Sequence, residues 1–269
     1  MFVLITGAAG GLGRVFAAAC AKRGYALFLT DINEAGLKFI ERGITSRYDV
    51  PVITSTCDLT DAAQVDALFA FAYERGIYFD MLLNVAGVDF EGGFSERSAQ
   101  SVTSIVRLNV EATLRITHGA LAARVPEKPF YIVFVSSLAS FYPMPLKATY
   151  AASKGFLREF AFALGKELES DGVKVLTLCP GGLATTPEAL SGITAQGFWG
   201  NVTTNRLETV TQTTLSRVLR GKTLFIPGLI NRVLCFLGAI VPKKLVAKLI
   251  YSRWKAAQKQ WLSVPAKSN

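Results

Sequence analysis

The chain has 269 residues, 51% of them hydrophobic and 18% charged, with 23 Gly, four Cys and one His. That length suits one large domain, and the apolar content without a Gly/Pro/Ser low-complexity tract excludes a disordered, fibrous or collagen-like chain. The net charge of +9 is unevenly placed: residues 206–269 hold 12 Lys and Arg against the single acid Glu208, while residues 1–205 hold 17 against 19. Such a distribution points to an appended surface function, not to a nucleic-acid-binding body.

The first apolar run, Phe2–Thr6, has no charged segment before it and turns into glycines, so it reads as a buried strand and not as a secretory leader. Between it and a helix expected from about Leu12 to Arg23 lies Thr6-Gly7-Ala8-Ala9-Gly10-Gly11-Leu12-Gly13. Glycines here permit a tight turn, let the backbone approach a pyrophosphate, and leave amide N–H groups at a helix N-terminus facing an anion. Taken alone, such a turn can also be purely structural. Asp31 closes the second run, Ala26–Thr30. A carboxylate there accepts hydrogen bonds from the ribose hydroxyls of an adenosine and repels a 2′-phosphate. Ile32 beside it supplies no cation, which favours NAD over NADP, with Arg14 as the counter-indication. A helix N-cap role for Asp31 is compatible with either.

Further apolar runs follow at Val52–Thr56, Met81–Asn84, Tyr131–Ser136, Val173–Cys179 and Thr223–Ile226. Strands that are apolar throughout belong to a parallel sheet covered on both faces. Seven of them with six crossovers give a doubly wound α/β domain over residues 1–227. Tyr150-Ala151-Ala152-Ser153-Lys154 falls on a helix, where the i, i+4 spacing puts phenol and ammonium on one face. Lys154 then lowers the Tyr150 pKa, so that a proton can be exchanged with an alcohol or ketone near neutral pH. Ser136-Ser137 ends a strand shortly before it. Cys20, Cys57, Cys179 and Cys235 show no ligand spacing and are expected to be reduced and buried in a cytoplasmic protein, and His118 to be an ordinary helix residue. No metal site is expected.

Residues 228–269 read as a basic helical extension. A short apolar helix over 229–241 is broken by Pro242, and a second runs over 243–262. In the second, Val246, Ile250, Trp254, Ala257 and Trp261 form an apolar stripe opposite Lys244, Lys248, Lys255 and Lys259. No apolar run approaches the ~18 residues of a membrane span. Three roles compete for residues 229–262: an interfacial helix on the cytoplasmic face of a membrane, an element packed over the substrate cleft or a partner subunit, and a nucleic-acid arm, which lacks any recognition motif.

Together these motifs resemble the classical short-chain dehydrogenase/reductase family, from Phe2 to about Pro187. Thr6, Gly7, Gly11 and Gly13 match its TGxxxGxG, with Leu12 inside the motif. Asp58, followed by Leu59, matches its adenine-contacting Asp; Asn84-Val85-Ala86-Gly87 stands for NNAG with Val as the departure. Asn109, Ser137, Tyr150 and Lys154 match the catalytic tetrad, and Pro180-Gly181 with Thr185 the loop that holds the nicotinamide carboxamide. The resemblance implies a single Rossmann-like domain with a seven-stranded parallel sheet, a homo-oligomer, and an NAD(H)-dependent alcohol dehydrogenase or ketone reductase. In it Tyr150 is the general acid/base and Ser137 holds the substrate oxygen. Lys154 binds the nicotinamide ribose, and Asn109 supports a water that connects Lys154 to solvent.

Three segments flanking the expected site carry Phe90, Phe94, Phe141, Tyr142, Met144, Phe198 and Trp199, with few ionic groups among them. That composition suits a hydrophobic alcohol or ketone, steroid- or lipid-like, as the small-molecule partner; equally, the aromatics can serve only to pack a lid. Two further functions stay open: an NAD(H)-binding sensor with little turnover, and a peripheral membrane adaptor.

Overall fold

A computed structural model describes residues 1–90, 92–185, 194 and 202–262, with residue 239 and residues 256–262 given by backbone alone. Strands and helices alternate as β1 (Phe2–Thr6), α1 (Gly11–Ala21), β2 (Ala26–Asp31), α2 (Glu34–Thr45), β3 (Val52–Thr56), α3 (Ala62–Glu74) and β4 (Met81–Asn84). Then come α4 (Ala99–Val106), α5 (Thr113–Ala122), β5 (Phe130–Val135), α6 (Ala148–Glu167), β6 (Val173–Leu178), α7 (Leu207–Leu219) and β7 (Leu224–Phe225). The tail contributes α8 (Leu229–Ile240) and α9 (Lys243–Leu262).

The strands form one seven-stranded sheet in the order β3-β2-β1-β4-β5-β6-β7, with every neighbouring pair parallel. Chain direction across the sheet reverses between β1 and β4, and the crevice at such a switch point lies beyond the carboxyl ends of the strands. Thr6 pairs with both Thr30 and Asn84 there, so the glycine turn and the loop after β4 start side by side. Side-chain alternation along β1 feeds two cores. Val3 and Ile5 pack with Phe16 and Cys20 of α1 and Val210 and Leu215 of α7. Leu4 packs on the other face with Phe28, Leu68 of α3, Ile116 of α5 and Leu157 of α6. Both faces are dry, which is why the strands are apolar throughout.

β1, β3 and β4 run as the sequence implies; β2 gains Asp31, and β7 is cut to Leu224–Phe225. α1 stops short of Arg23 because Gly24, at φ +75°, turns the chain left-handed while its N–H reaches back to Ala21 O. All four cysteines are free and buried. Burial pushes the thiols up, Cys20 to about 12 and Cys57 and Cys179 to about 11.

In the tail, the apolar stripe of α9 is partly covered, as the packing role left open by the sequence would have it: Val246, Ile250 and Trp254 are half-buried, with Lys244, Lys248 and Lys255 exposed. Lys147, at the N-terminus of α6, lies 5.0 Å from the Trp254 ring. Ala257, Lys259 and Trp261 lie outside the described side chains. α8 rests on the 3-10 turn Leu138–Phe141, the segment that follows Ser137. Among the described residues no helix is long and apolar enough to cross a membrane.

Candidate active site

The glycine turn is shaped by contacts that exclude side chains. Gly7 adopts φ +63°, and a Cβ there would stand 2.7 Å from Ala86 Cα. One on Gly13 would stand 2.1 Å from Gly7 O, and one on Gly11 2.3 Å from Thr185 O, so Thr185 is drawn against the turn. α1 begins at Gly11 behind Gly10, which offers no side-chain cap, and no acid lies in its first turn. Its first amides and the positive end of its dipole therefore suit an anion. Asp31 Oδ2 accepts from Ala9 N at 2.9 Å and Oδ1 from Asn33 N at 3.0 Å, which fixes the carboxylate beside the turn. The N-cap of α2 is Asn33, whose Oδ1 accepts from Gly36 N, so Asp31 is spared that role. An uncapped helix start, a glycine cradle and a held acid at the end of β2 together fit a dinucleotide.

Not every expected contact points there. Thr6 Oγ1 accepts from Val85 N and Ala86 N and so fastens the loop after β4. Asn84 Nδ2 donates to Thr117 Oγ1 on α5, Leu12 and Leu59 sit in the two cores, and Asp58 Oδ1 accepts from Thr60 N and Oγ1. The side chains of Thr6, Asn84, Leu12 and Leu59 thus build the walls of the crevice. Pro180 O accepts from Leu138 N, and Gly181 N donates to Asn205 Oδ1.

Ser137, Tyr150, Lys154 and Asn109 converge across the carboxyl edge of the sheet. The Ser137 hydroxyl faces the Tyr150 phenol closely enough to pull its pKa down, and its Oγ accepts from Ala139 N at 3.1 Å. Lys154 is buried; its Nζ donates to Val135 O at 2.9 Å and lies 5.7 Å from the Tyr150 ring. Between Lys154 and Asn109 sits Gly87, where a Cβ would approach Asn109 Oδ1 at 3.1 Å and Lys154 Nζ at 3.2 Å. Asn109 is fully buried on a π-helical turn, Arg107–Ala112, set between α4 and α5. Its amide donates to Val88 O and Ser153 Oγ and accepts from Val88 N. All of these side-chain links are to protein groups, so its clearest task here is to hold the loop after β4.

The electrostatics correct the expected pKa order. Burial first, and then the charge of Asp89, raise the Tyr150 phenol above its ordinary value, against the downward pull of the Ser137 hydrogen bond. Burial lowers Lys154 to about 8, opposed by Asp89. Desolvation of both partners thus outweighs the depression of the phenol expected from the i, i+4 spacing.

A profile of the short chain dehydrogenase family matches residues 1–193. The chain belongs to that family. Among curated relatives of this short chain dehydrogenase is a very-long-chain 3-oxoacyl-CoA reductase of Phaeosphaeria nodorum, 34% identical over 178 residues, which are 65% of this chain and 52% of that protein. The chain thus spans about half the length of such relatives. An uncharacterized oxidoreductase of Staphylococcus saprophyticus is 28% identical over 72% of this chain and 82% of that one. Among solved structures, an actinorhodin polyketide ketoreductase with NADPH superposes with TM-score 0.74 and 25% identity over 84% of this chain and 95% of that one. A short-chain dehydrogenase of Sphingobium yanoikuyae with NADPH covers 100% of this chain and 97% of that one, at TM-score 0.71 and 22% identity.

At the mouth of this short chain dehydrogenase site, a small cavity of about 50 Å³ is lined by Phe90, Phe94, Arg97, Ile105, Leu146 and Tyr150. Phe90 and Phe94 are exposed. Two other expected lining residues are engaged elsewhere. The Arg158 guanidinium lies 4.3 Å from the Phe141 ring, and Tyr142 is taken up by α8, its ring against Gly238 and its hydroxyl 3.9 Å from Cys235 Sγ. Met144 is half-buried, and Phe198 and Trp199 lie outside the described residues.

Several pairings around the site are not read from the sequence, although it puts Asp89 and Lys147 near the mouth and Ser136 beside Ser137. Asp89 and Lys147 pair at 2.5 Å across the mouth, joining the loop after β4 to the start of α6. Ser136 Oγ donates to Lys154 O, and Ser153 links Tyr150 O to Asn109. Asn231 of α8 is fully buried and donates to Thr203 O, Pro227 O and Asn205 Oδ1. The adjacency of Ser136 to Ser137 and of Ser153 to Lys154 was the available signal for two of them; nothing local marks Asn231.

Proposed function

We propose that the protein is an NAD(H)-dependent oxidoreductase interconverting a secondary alcohol and a ketone on a hydrophobic, lipid-like substrate. The observation that carries this reading is the meeting of Ser137, Tyr150 and buried Lys154 at the carboxyl edge of the sheet, next to the glycine cradle. A bound nicotinamide dinucleotide would supply or accept the hydride. Gly7, Gly11, Gly13 and the first turn of α1 would hold its pyrophosphate, Asp31 its adenosine ribose, and Gly181 and Thr185 would lie along its nicotinamide end. Tyr150 gives its phenolic proton to the carbonyl oxygen in reduction and takes it back in oxidation. Ser137 hydrogen-bonds the same oxygen, and Lys154 orients the ribose while the proton moves. Asn109 keeps Val88, and with it the cleft wall, in place.

Asp31 followed by the exposed, uncharged Ile32 supports NAD over NADP. The solved neighbours with NADPH make that choice the first thing to measure. Phe90, Phe94 and Met144 support an apolar substrate, and the name of the Phaeosphaeria nodorum relative adds long-chain 3-oxoacyl thioesters to the ketones worth testing. Buried free cysteines suit a reducing compartment such as the cytoplasm.

The test is oxidation of NADH and of NADPH against ketones graded from small and polar to steroid- and acyl-like, with Tyr150→Phe alongside. The expected result is NADH consumption with the larger apolar ketones and at least ~100-fold slower turnover in the variant, the scale of a lost general acid. Equal turnover by Tyr150→Phe with every accepted ketone, or NADH binding without turnover of any, rejects the reading; the latter favours a nucleotide sensor.

A further inference from the structure

We infer that α8 is a membrane-docking helix that lies in the plane of an anionic lipid surface. Leu229, Ile230, Val233, Phe236, Leu237 and Ile240 are all exposed, between 43% and 74%. At 100° per residue they fall within a sector of about 120°. The opposite side of the same helix is committed to the body of the protein: Asn231 and Cys235 are buried, and Gly238 lies against the Tyr142 ring. The outward face is therefore a continuous apolar strip on a helix that is already anchored, and contiguous exposed apolar surface of this kind marks an interaction site. Leu245 and Leu249 of α9, also exposed, carry apolar character past Pro242.

Charge selects the occupant. The strip lies within a stretch, residues 206–269, with a single acid and 12 Lys and Arg. Exposed Lys243, Lys244, Lys248 and Lys255 follow directly on α9. A second copy of the chain would bring the same positive charge to the contact, whereas anionic headgroups bring the opposite sign, and each cation near such a surface adds attraction. The length of α8, 12 residues or about 18 Å, is too short to span a bilayer and suited to lying on one. Of the two tail helices α8 carries the outward apolar face, since the Val246, Ile250 and Trp254 stripe of α9 is half-buried. Because α8 rests on the turn after Ser137, docking also brings the cleft to the lipid surface. That consequence rests on the proposed activity; the docking does not.

The test uses the full chain in co-sedimentation with phosphatidylcholine vesicles, with and without phosphatidylglycerol. It compares the wild type, Phe236→Ser/Ile240→Ser, which keeps every charge, and Lys244→Gln/Lys248→Gln. The wild type is expected to sediment with the anionic vesicles and weakly with neutral ones. Binding falls about tenfold or more in the serine variant and falls, with lost salt dependence, in the glutamine variant. Melting temperature and cofactor binding stay unchanged, because the substituted residues are exposed and none belongs to the glycine cradle. The inference is overturned if the wild type stays in the supernatant with anionic vesicles, or if the serine variant binds as well as the wild type. It is equally overturned if size-exclusion chromatography shows a dimer that the serine substitutions dissociate, which assigns the strip to a second copy. Vesicle binding is read without turnover, so failure of the catalytic reading leaves this result intact.

Discussion

After burial, Asp89 is the strongest influence on the Tyr150 phenol. Its charge raises the Tyr150 phenol and supports the protonated form of Lys154, while its own partner Lys147 stands 5.6 Å from the Tyr150 ring. Asp89→Asn removes the negative charge that raises the phenol, and this favours the phenolate. Alcohol oxidation needs the phenolate, so the acidic limb of its pH profile is expected to move to lower pH; a limb that stays put or moves up refutes this. Lys154 has a second consequence. Its folded pKa of about 8 lies below the ordinary 10.5, so between these values the unfolded chain binds more protons and this group's contribution to stability rises with pH. The buried thiols, held above 9.0, act in the opposite direction, so the readout is the difference between variants: from pH 8 to 9.5 the denaturant midpoint of the wild type should rise relative to that of Lys154→Met. The identities of Ser137, Tyr150 and Lys154 were legible in the sequence because motif and spacing specify them. Their pKa order was not, because it depends on burial and on Asp89, a residue 61 positions before Tyr150.

Elements were legible wherever packing on both faces dictates an apolar run, as in β1, β3 and β4. They were less so where a local turn decides, as at Gly24. The π-helical turn that carries Asn109 left no trace in the pattern, since one extra residue in a helical turn changes no residue type. The tail stayed open among three roles because periodicity shows an apolar stripe but cannot say whether the protein itself will cover it. The answer lies in Asn231, whose amide satisfies the carbonyls of Thr203 and Pro227 and so seats α8. Asn231→Ala removes these hydrogen bonds from a buried position, at a cost of about 1–3 kcal/mol. A melting temperature lower by about 2–4 °C per kcal/mol is expected for a domain of this size. An unchanged melt would show that α8 is held by its apolar contacts alone.

For the whole molecule, the doubly wound order places the glycine turn, the loop after β4 and the loop after β6 at one edge, so a single ligand touches parts of the chain far apart in sequence. Nucleotide binding should therefore stabilise the molecule globally. At a concentration 100 times its Kd a ligand adds about 2.7 kcal/mol. NADH is expected to raise the melting temperature more than NADPH, and neither to do so in Gly13→Ala, whose Cβ would collide with Gly7 O. Larger protection by NADPH would reverse the reading of Asp31. The same strand order bears on biosynthesis. β1 meets β2 within its first thirty-one residues, but its other edge waits for Met81–Asn84. Until those residues leave the ribosome, the nascent chain carries Val3, Leu4 and Ile5 on an open sheet edge, the kind of surface that recruits a second chain. Slower synthesis of the segment before β4 would lengthen that interval and with it the need for a chaperone.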